Sequence, residues 1–305
     1  MDNASRFRGA VIPLVTPVTP KGTADETGLT RLIDSMLAAK VEGIFVLGTT
    51  GEGPSVPREF RQSIVQRAVN QARGRALVYA GIGDTCLADS IAAANDYLRA
   101  GVAAVVAQPP VYFPLQPHEL RAYFQALLDA VNGPVIIYNI PSTTRVSIPL
   151  DVVAQLQGHP RFVGIKDSEN DRARHQELIS RFGDAPGMSI FVGVGALMLE
   201  GLRGGAEGIV PSVGNLLPDA CAGLCAAASR GDWAEANRHN ERMSQAAAIY
   251  QKNRTLGQSL AALKAALHVR GLCEPGVLPP LLPLTQPEIE IIRGEMKQLE
   301  LLRKE

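Results

Sequence analysis

The residue in this chain best suited to covalent chemistry is Lys166. The chain has seven lysines, and Lys166 is the one that ends an apolar run, Arg161–Lys166. Burying an ammonium is costly. A lysine in that position therefore either pairs with a carboxylate or serves as the neutral amine that attacks a ketone to form a Schiff base. Asp167 and Glu52 are the carboxylates that would make it a structural ion pair instead. Tyr138 lies near the end of the preceding apolar run, Pro134–Asn139. A phenol there can shuttle protons between a substrate hydroxyl and a carbinolamine, or it can simply cap the site with a ring. The turn Gly48-Thr49-Thr50-Gly51 offers two hydroxyls and exposed backbone N–H groups. Its glycines let the backbone come close to a ligand, so it can hold a carboxylate, or it can be an ordinary strand-to-loop turn.

Other chemistries find less support. The five histidines (His118, His159, His175, His239, His268) fall in helical or loop stretches rather than at strand ends, which argues against a metal-dependent aldolase. The segments Gly81-Ile-Gly83 and Gly193-Val-Gly195 lack the third glycine of a dinucleotide-binding turn. No cofactor and no metal is expected. Cys86, Cys221, Cys225 and Cys273 are too few for a disulfide scaffold, and Cys221 and Cys225 read as small core residues of one helix.

These candidates must be brought together by the elements that carry them. Eight apolar runs recur at intervals of roughly 25–35 residues, the last after 19: Gly9–Val15, Glu42–Gly48, Ala76–Gly81, Ala103–Gln108, Pro134–Asn139, Arg161–Lys166, Met188–Gly193 and Glu207–Pro211. Each is nearly continuous rather than alternating, as strands buried on both faces require. Helical patterns separate them: Asp25–Lys40, Pro57–Ala72, Leu87–Ala100, Pro117–Val131, Pro149–Gln157, Asp171–Phe182, Ala196–Arg203 and Leu217–Arg230. Pro57 and Pro149 are expected at the first helical position. Eight such pairs predict an α/β chain closed as a (β/α)8 TIM barrel, whose chemistry sits at the C-terminal strand ends. Three further helical stretches follow, Trp233–Tyr250, Leu256–Arg270 and Gln286–Arg303. Residues 1–230 are thus read as the barrel that carries the site, and 231–305 as a C-terminal helical extension.

Composition narrows the partners. Of 305 residues, 46% are hydrophobic, and 30 basic residues balance 30 acidic ones. That is ample for a large core, and a neutral chain without basic runs is a poor match for nucleic acid or an anionic membrane. With no signal-like start and no apolar run of membrane length, the default location is cytoplasmic.

The three segments Gly48-Thr49-Thr50-Gly51-Glu52, Tyr138-Asn139-Ile140-Pro141-Ser142 and Gly164-Ile165-Lys166-Asp167-Ser168 resemble, in order and spacing, the signatures of one family. It is the dihydrodipicolinate synthase / N-acetylneuraminate lyase family of class I aldolases, and the resemblance runs from about Gly9 to Pro218. It implies that Lys166 forms the Schiff base with pyruvate or another 2-oxo acid, that Tyr138 relays protons, and that Thr49, Thr50 and Gly51 receive the 2-oxo acid carboxylate. It implies too that Tyr112 completes the relay from a neighbouring subunit, in a homotetramer built as a dimer of dimers. Gly208-Ile209-Val210 matches the last strand, whose backbone lies against the bound pyruvate.

Two departures from the family pattern bear on the substrate. Dihydrodipicolinate synthases continue the second signature with Arg-Thr, the Arg binding the carboxylate of aspartate semialdehyde; here the pair is Thr143-Thr144, with Arg145 next. Sialic acid lyases carry Asp-Glu where this chain has Gly195-Ala196. The Lys166–Ser168 and Gly193–Met198 segments are more similar to aldolases of 2-keto-3-deoxy sugar acids or 4-hydroxy-2-oxoglutarate. The leading expectation is therefore a lyase joining or splitting a 2-oxo acid and an aldehyde of that type, with Ser142, Thr143 and Arg145 at the distal end. Dihydrodipicolinate synthesis, a dehydratase working through the same imine and a catalytically silent binding barrel are the alternatives.

Overall fold

The computed structural model describes residues 6–19 and 21–301. Eight parallel strands close on themselves in sequence order: β1 (Gly9–Pro13), β2 (Gly43–Val46), β3 (Leu77–Gly81), β4 (Ala104–Ala107), β5 (Val135–Asn139), β6 (Phe162–Asp167), β7 (Ser189–Val192) and β8 (Gly208–Ile209), with β8 pairing back to β1. Seven of the eight are buried at every residue, which explains why their sequences do not alternate. The expected TIM barrel is what forms.

The helices expected between strands are present: α1 (Glu26–Ala38), α2 (Arg58–Ala72), α3 (Leu87–Ala100), α4 (Pro117–Ala130), α6 (Leu150–Leu156), α7 (Arg172–Phe182), α8 (Met198–Gly204) and α9 (Pro218–Ser229). One short helix, α5 (Pro141–Thr144), occupies what reads as a loop after β5. Pro57 and Pro149 stand one place earlier than expected. Their ψ of 141° is not helical, so each caps its helix rather than opening it. The seventh helix begins as a 3₁₀ turn at Gly195–Leu197.

Beyond the barrel come α10 (Trp233–Gln251), α11 (Leu256–Val269) and α12 (Gln286–Gln298). The last was expected to reach Arg303 but stops at Gln298, because Glu300 takes a left-handed φ of 52° that no helix continues through. Positions 302 and 303 lie outside the described residues. No helix among the described residues is long and apolar enough to cross a membrane.

Two apolar layers result. Val11, Phe45, Tyr79, Val106, Ile136, Tyr138, Val163, Phe191 and Val210 fill the barrel interior, closed at one end by Phe7 against Tyr79. The alternate residues, such as Ile12, Ile44, Val105, Ile137, Ile165 and Ile190, face outward to the helices. Cys221 and Cys225 are buried and unoxidised in α9, as expected for core residues.

Candidate active site

Lys166 and Tyr138 meet because of one irregularity. Val135 pairs with Phe162, but the next residue, Ile136, pairs with Gly164, so β6 carries one extra residue. From there Tyr138 stands opposite Lys166. Without that bulge Tyr138 would face Ile165, and the phenol and amine would point to opposite sides of the sheet. With it, both point inward. The Lys166 Nζ lies 3.7 Å from the centroid of the Tyr138 ring and 5.3 Å from that of Phe45. Both Lys166 and Tyr138 are buried.

Neither candidate ion pair for Lys166 forms. Asp167 is its neighbour on the strand, so its carboxylate points to the outer face. There it accepts from Arg174 Nε at 2.9 Å, Asn139 Nδ2 at 3.1 Å and the Glu169 N–H at 2.9 Å. The N-cap Asp171, accepting from the Arg174 N–H, sets α7 so that Arg174 reaches this spot. Arg174 also donates to the Ile148 carbonyl, and Asn139 Oδ1 accepts the Ile148 N–H, so the network holds the chain after α5 as well. Glu52 is occupied by Lys264 of α11, whose Nζ is 2.5 Å from Glu52 Oε1. Lys166 therefore has no carboxylate partner among the described residues, and it sits among rings and aliphatic side chains: Val11, Phe45, Tyr79, Val106, Ile136, Phe191 and Val210.

The Thr49–Gly51 turn adjoins the phenol, with Thr49 Oγ1 at 3.4 Å from Tyr138 Oη. It is held from below: Thr16 Oγ1 donates to the Gly51 carbonyl at 2.6 Å, and the Glu52 N–H to the Thr49 carbonyl at 3.1 Å. A Cβ on Gly51 would lie 2.8 Å from the Leu14 carbonyl oxygen, and one on Gly53 only 2.0 Å from that of Leu47. Glycine is thus required for the turn to lie this close to its neighbours. Among the described residues the Thr50 hydroxyl and the N–H groups of Thr50 and Gly51 have no hydrogen-bond partner. Two free amides and a hydroxyl in one turn form a concavity suited to a carboxylate.

The remaining candidates are spread along the same rim. Ser142 and Thr143 are exposed on α5, and Thr143 Oγ1 donates to the Ile140 carbonyl at 3.2 Å. Arg145 follows with a left-handed φ of 60°, exposed and without a side-chain partner among the described residues. Ile209 is fully buried with its side chain in the outer layer; only its backbone faces the barrel lumen, and Val210 is the side chain that lines the Lys166 cavity. Tyr112 stands apart from its own chain's site. It is 76% exposed, between Val111 at 53% and Phe113 at 66%. Three consecutive large apolar side chains are thus exposed on the single chain.

Sequence reasoning singled out Gly193–Met198 after β7 but missed the rest of a larger cavity, of about 400 Å³, which that segment bounds together with Pro211, Ser212 and Val213 after β8 and Asn240, Met243, Ser244, Tyr250, Gln251 and Lys252 of α10 and its end. Phe191 and Val210, which line the small cavity at Lys166, lie two residues and one residue before Gly193 and Pro211 of the larger one. Tyr250 Oη lies 2.7 Å from Ser212 Oγ, and burial pushes its phenol well above the usual tyrosine range. A contribution from a helix some 40 residues beyond β8 has no local signature. Among the described residues no three His, Cys, Asp or Glu side chains gather in a metal-holding group.

Known proteins share this fold and much of this sequence over nearly the whole chain. The model of the dihydrodipicolinate synthetase family matches residues 6–299. A 4-hydroxy-tetrahydrodipicolinate synthase of Nitrobacter hamburgensis is 31% identical over 303 residues, covering 99% of this chain and all of that protein. The dihydrodipicolinate synthase structure from Bacteroides thetaiotaomicron aligns with a TM-score of 0.90 at 32% identity, covering 96% of this chain and 98% of that one. YagE of E. coli K12, a prophage protein of the same family solved in complex with pyruvate, aligns with a TM-score of 0.90 at 28% identity over 97% and 99% of the two chains. A lyase-type barrel with its lysine unpaired among rings, matched over nearly its whole length, places this chain in the dihydrodipicolinate synthetase family.

Proposed function

We propose that this family member is a Schiff-base lyase that splits a 4-hydroxy-2-oxo acid into pyruvate and an aldehyde, or runs the reverse condensation. The observation that carries the reading is the unpaired, buried Lys166 held face to face with Tyr138 beside the Thr49–Gly51 turn. The turn receives the 2-oxo acid carboxylate on the N–H groups of Thr50 and Gly51 and the Thr50 hydroxyl. Lys166 Nζ attacks C2 and water leaves, giving an iminium. The C3–C4 bond then breaks, its electron pair moving into the iminium to form an enamine while Tyr138 takes the C4 hydroxyl proton and the aldehyde departs. Proton return to C3 and hydrolysis release pyruvate and regenerate the amine. Tyr112 reaches the site of a neighbouring copy, which makes the active form at least a dimer and, on the family pattern, a homotetramer; its exposure on the single chain supports this.

Of the two expected substrate classes a 2-keto-3-deoxy sugar acid fits better than 4-hydroxy-2-oxoglutarate, which carries a second carboxylate. Thr143 cannot make the bidentate contact with a carboxylate that an arginine makes, and the cavity after β7 and β8 sets the hydroxyl and amide groups of Ser212, Asn240, Ser244, Tyr250 and Gln251, with Lys252 as its one charge, among apolar side chains such as Met198, Val213, Met243 and Ala247. That lining suits a hydroxylated tail. Condensation of pyruvate with aspartate semialdehyde is the second reading, supported by the names of relatives at 30% and 31% identity. Coupled assays decide between them: pyruvate release from the two hydroxy-oxo acid classes against product formation from pyruvate and aspartate semialdehyde. Cleavage at least 100-fold more efficient than the condensation is expected. The reverse ratio establishes the second reading.

A further inference from the structure

We propose that Glu52 and Lys264 form a positioning device by which the C-terminal helices hold the carboxylate-receiving turn in shape. Glu52 follows Gly51 directly and adopts a left-handed φ of 53°, a conformation that persists only where the surroundings enforce it. The enforcement comes from the far end of the chain. Glu52 Oε1 is 2.5 Å from Lys264 Nζ, and Oε2 accepts the Leu278 N–H at 2.6 Å. Lys264 in turn donates to the Gly276 carbonyl at 2.8 Å. Both side chains are sealed from water, at 0% and 1% exposure. One carboxylate thus ties together the β2 turn, α11 and the link between α11 and α12.

The turn is thereby pinned on two sides, by Thr16 on the Gly51 carbonyl and by Lys264 and Leu278 on Glu52. The Thr50 and Gly51 amides, which are free to meet a ligand, immediately precede both pins in the chain. A displaced Glu52 rotates the adjoining Gly51 amide, so the site loses its aim although no group that touches substrate has changed. This inference rests on the assignment of the turn as the carboxylate site.

The test uses pyruvate and borohydride on the full-length protein, reading the half-saturating pyruvate concentration and the trapped plateau separately. Lys264→Met leaves the Glu52 carboxylate buried without its cation and is expected to raise the half-saturating concentration at least tenfold while the plateau stays near one adduct per chain. Glu52→Gln/Lys264→Met, neutral at both positions and still able to accept the Leu278 N–H, is expected to recover most of that loss. Should Lys264→Met not fold, Glu52→Gln alone is expected to raise it threefold or more. Folded variants that melt earlier but trap pyruvate with wild-type concentration dependence overturn the proposal and leave the pair a purely structural tie. A wild type that traps no pyruvate overturns instead the functional reading, and this inference with it.

Discussion

Replacing Lys166 by Met separates the chemical role of this lysine from a structural one by the sign of the stability change. Methionine keeps most of the stem that packs on Tyr138 and Phe45 and removes only the amine. Two contributions oppose each other. The contacts of Nζ with the two rings, at 3.7 Å and 5.3 Å, contribute about 0.5–2 kcal/mol. Against this, a polar group without a carboxylate partner leaves a site lined by Val11, Phe45, Ile136, Phe191 and Val210, and desolvating such a group costs about 1–3 kcal/mol. The net change is expected to lie within about 1 kcal/mol of zero or to be stabilising, so the melting temperature should fall by no more than ~2–4 °C. Had Lys166 been paired with Asp167 or Glu52, its removal would strand a buried carboxylate and cost about 3–5 kcal/mol. The assay is denaturant unfolding followed by circular dichroism, wild type and variant at equal protein concentration, with pyruvate release measured on the same samples. The expected result is loss of activity at preserved or increased stability. A destabilisation of ~3 kcal/mol or more would refute the reasoning, because it would mean that the amine holds the fold together.

Other substitutions probe the surroundings of the lysine. Tyr138→Phe keeps the ring over Lys166 and removes the hydroxyl beside Thr49, so turnover should drop about 10²–10⁴-fold while borohydride still traps pyruvate on Lys166. Asp167→Ala removes a fully buried acceptor of Arg174, Asn139 and the Glu169 N–H, and should destabilise by about 3–5 kcal/mol in urea unfolding. Burial pushes the thiols of Cys221, Cys225 and Cys273 up, that of Cys273 to about 12, so all three stay protonated from pH 7 to pH 9. In the native protein an aromatic disulfide reagent should titrate the exposed Cys86 alone at either pH, and all four cysteines after unfolding.

The parts of this site that were legible in the sequence are those whose signal is local. A lysine closing an apolar strand run, a tyrosine closing the previous one and a Gly-Thr-Thr-Gly turn are visible without a fold, and the eight-fold period of apolar runs supplies the barrel that joins them. The bulge between Val135 and Ile136 was not legible, because both neighbouring runs are uniformly apolar and no register can be read from them. The partner of Glu52 was not legible for a related reason. Glu52 and Lys264 are 212 residues apart, and the pairing depends on how α11 docks. A trace of it does exist: Lys264 is the lone charge in the run Leu260–Leu267, all of it buried, and a charge in such a run needs a buried partner. Arg174 left a similar trace three residues after the capping Asp171. The cavity wall supplied by Tyr250 and Gln251 left none, since both sit in a polar amphipathic helix whose docking face is set by packing. The exposed Val111-Tyr112-Phe113 segment shows the converse case, in which the sequence names a residue that the fold of the single chain leaves in water.

The central claim is a covalent bond between Lys166 and a 2-oxo acid, and mass analysis tests it most directly. Wild type and Lys166→Ala are incubated with pyruvate and borohydride, and the intact masses and peptide maps are compared. One reduced pyruvate adduct per chain, located on Lys166 in the wild type and missing from the variant, is the predicted result. An adduct on another lysine, or an equal adduct on the variant, would contradict the assignment of Lys166 as the Schiff-base residue.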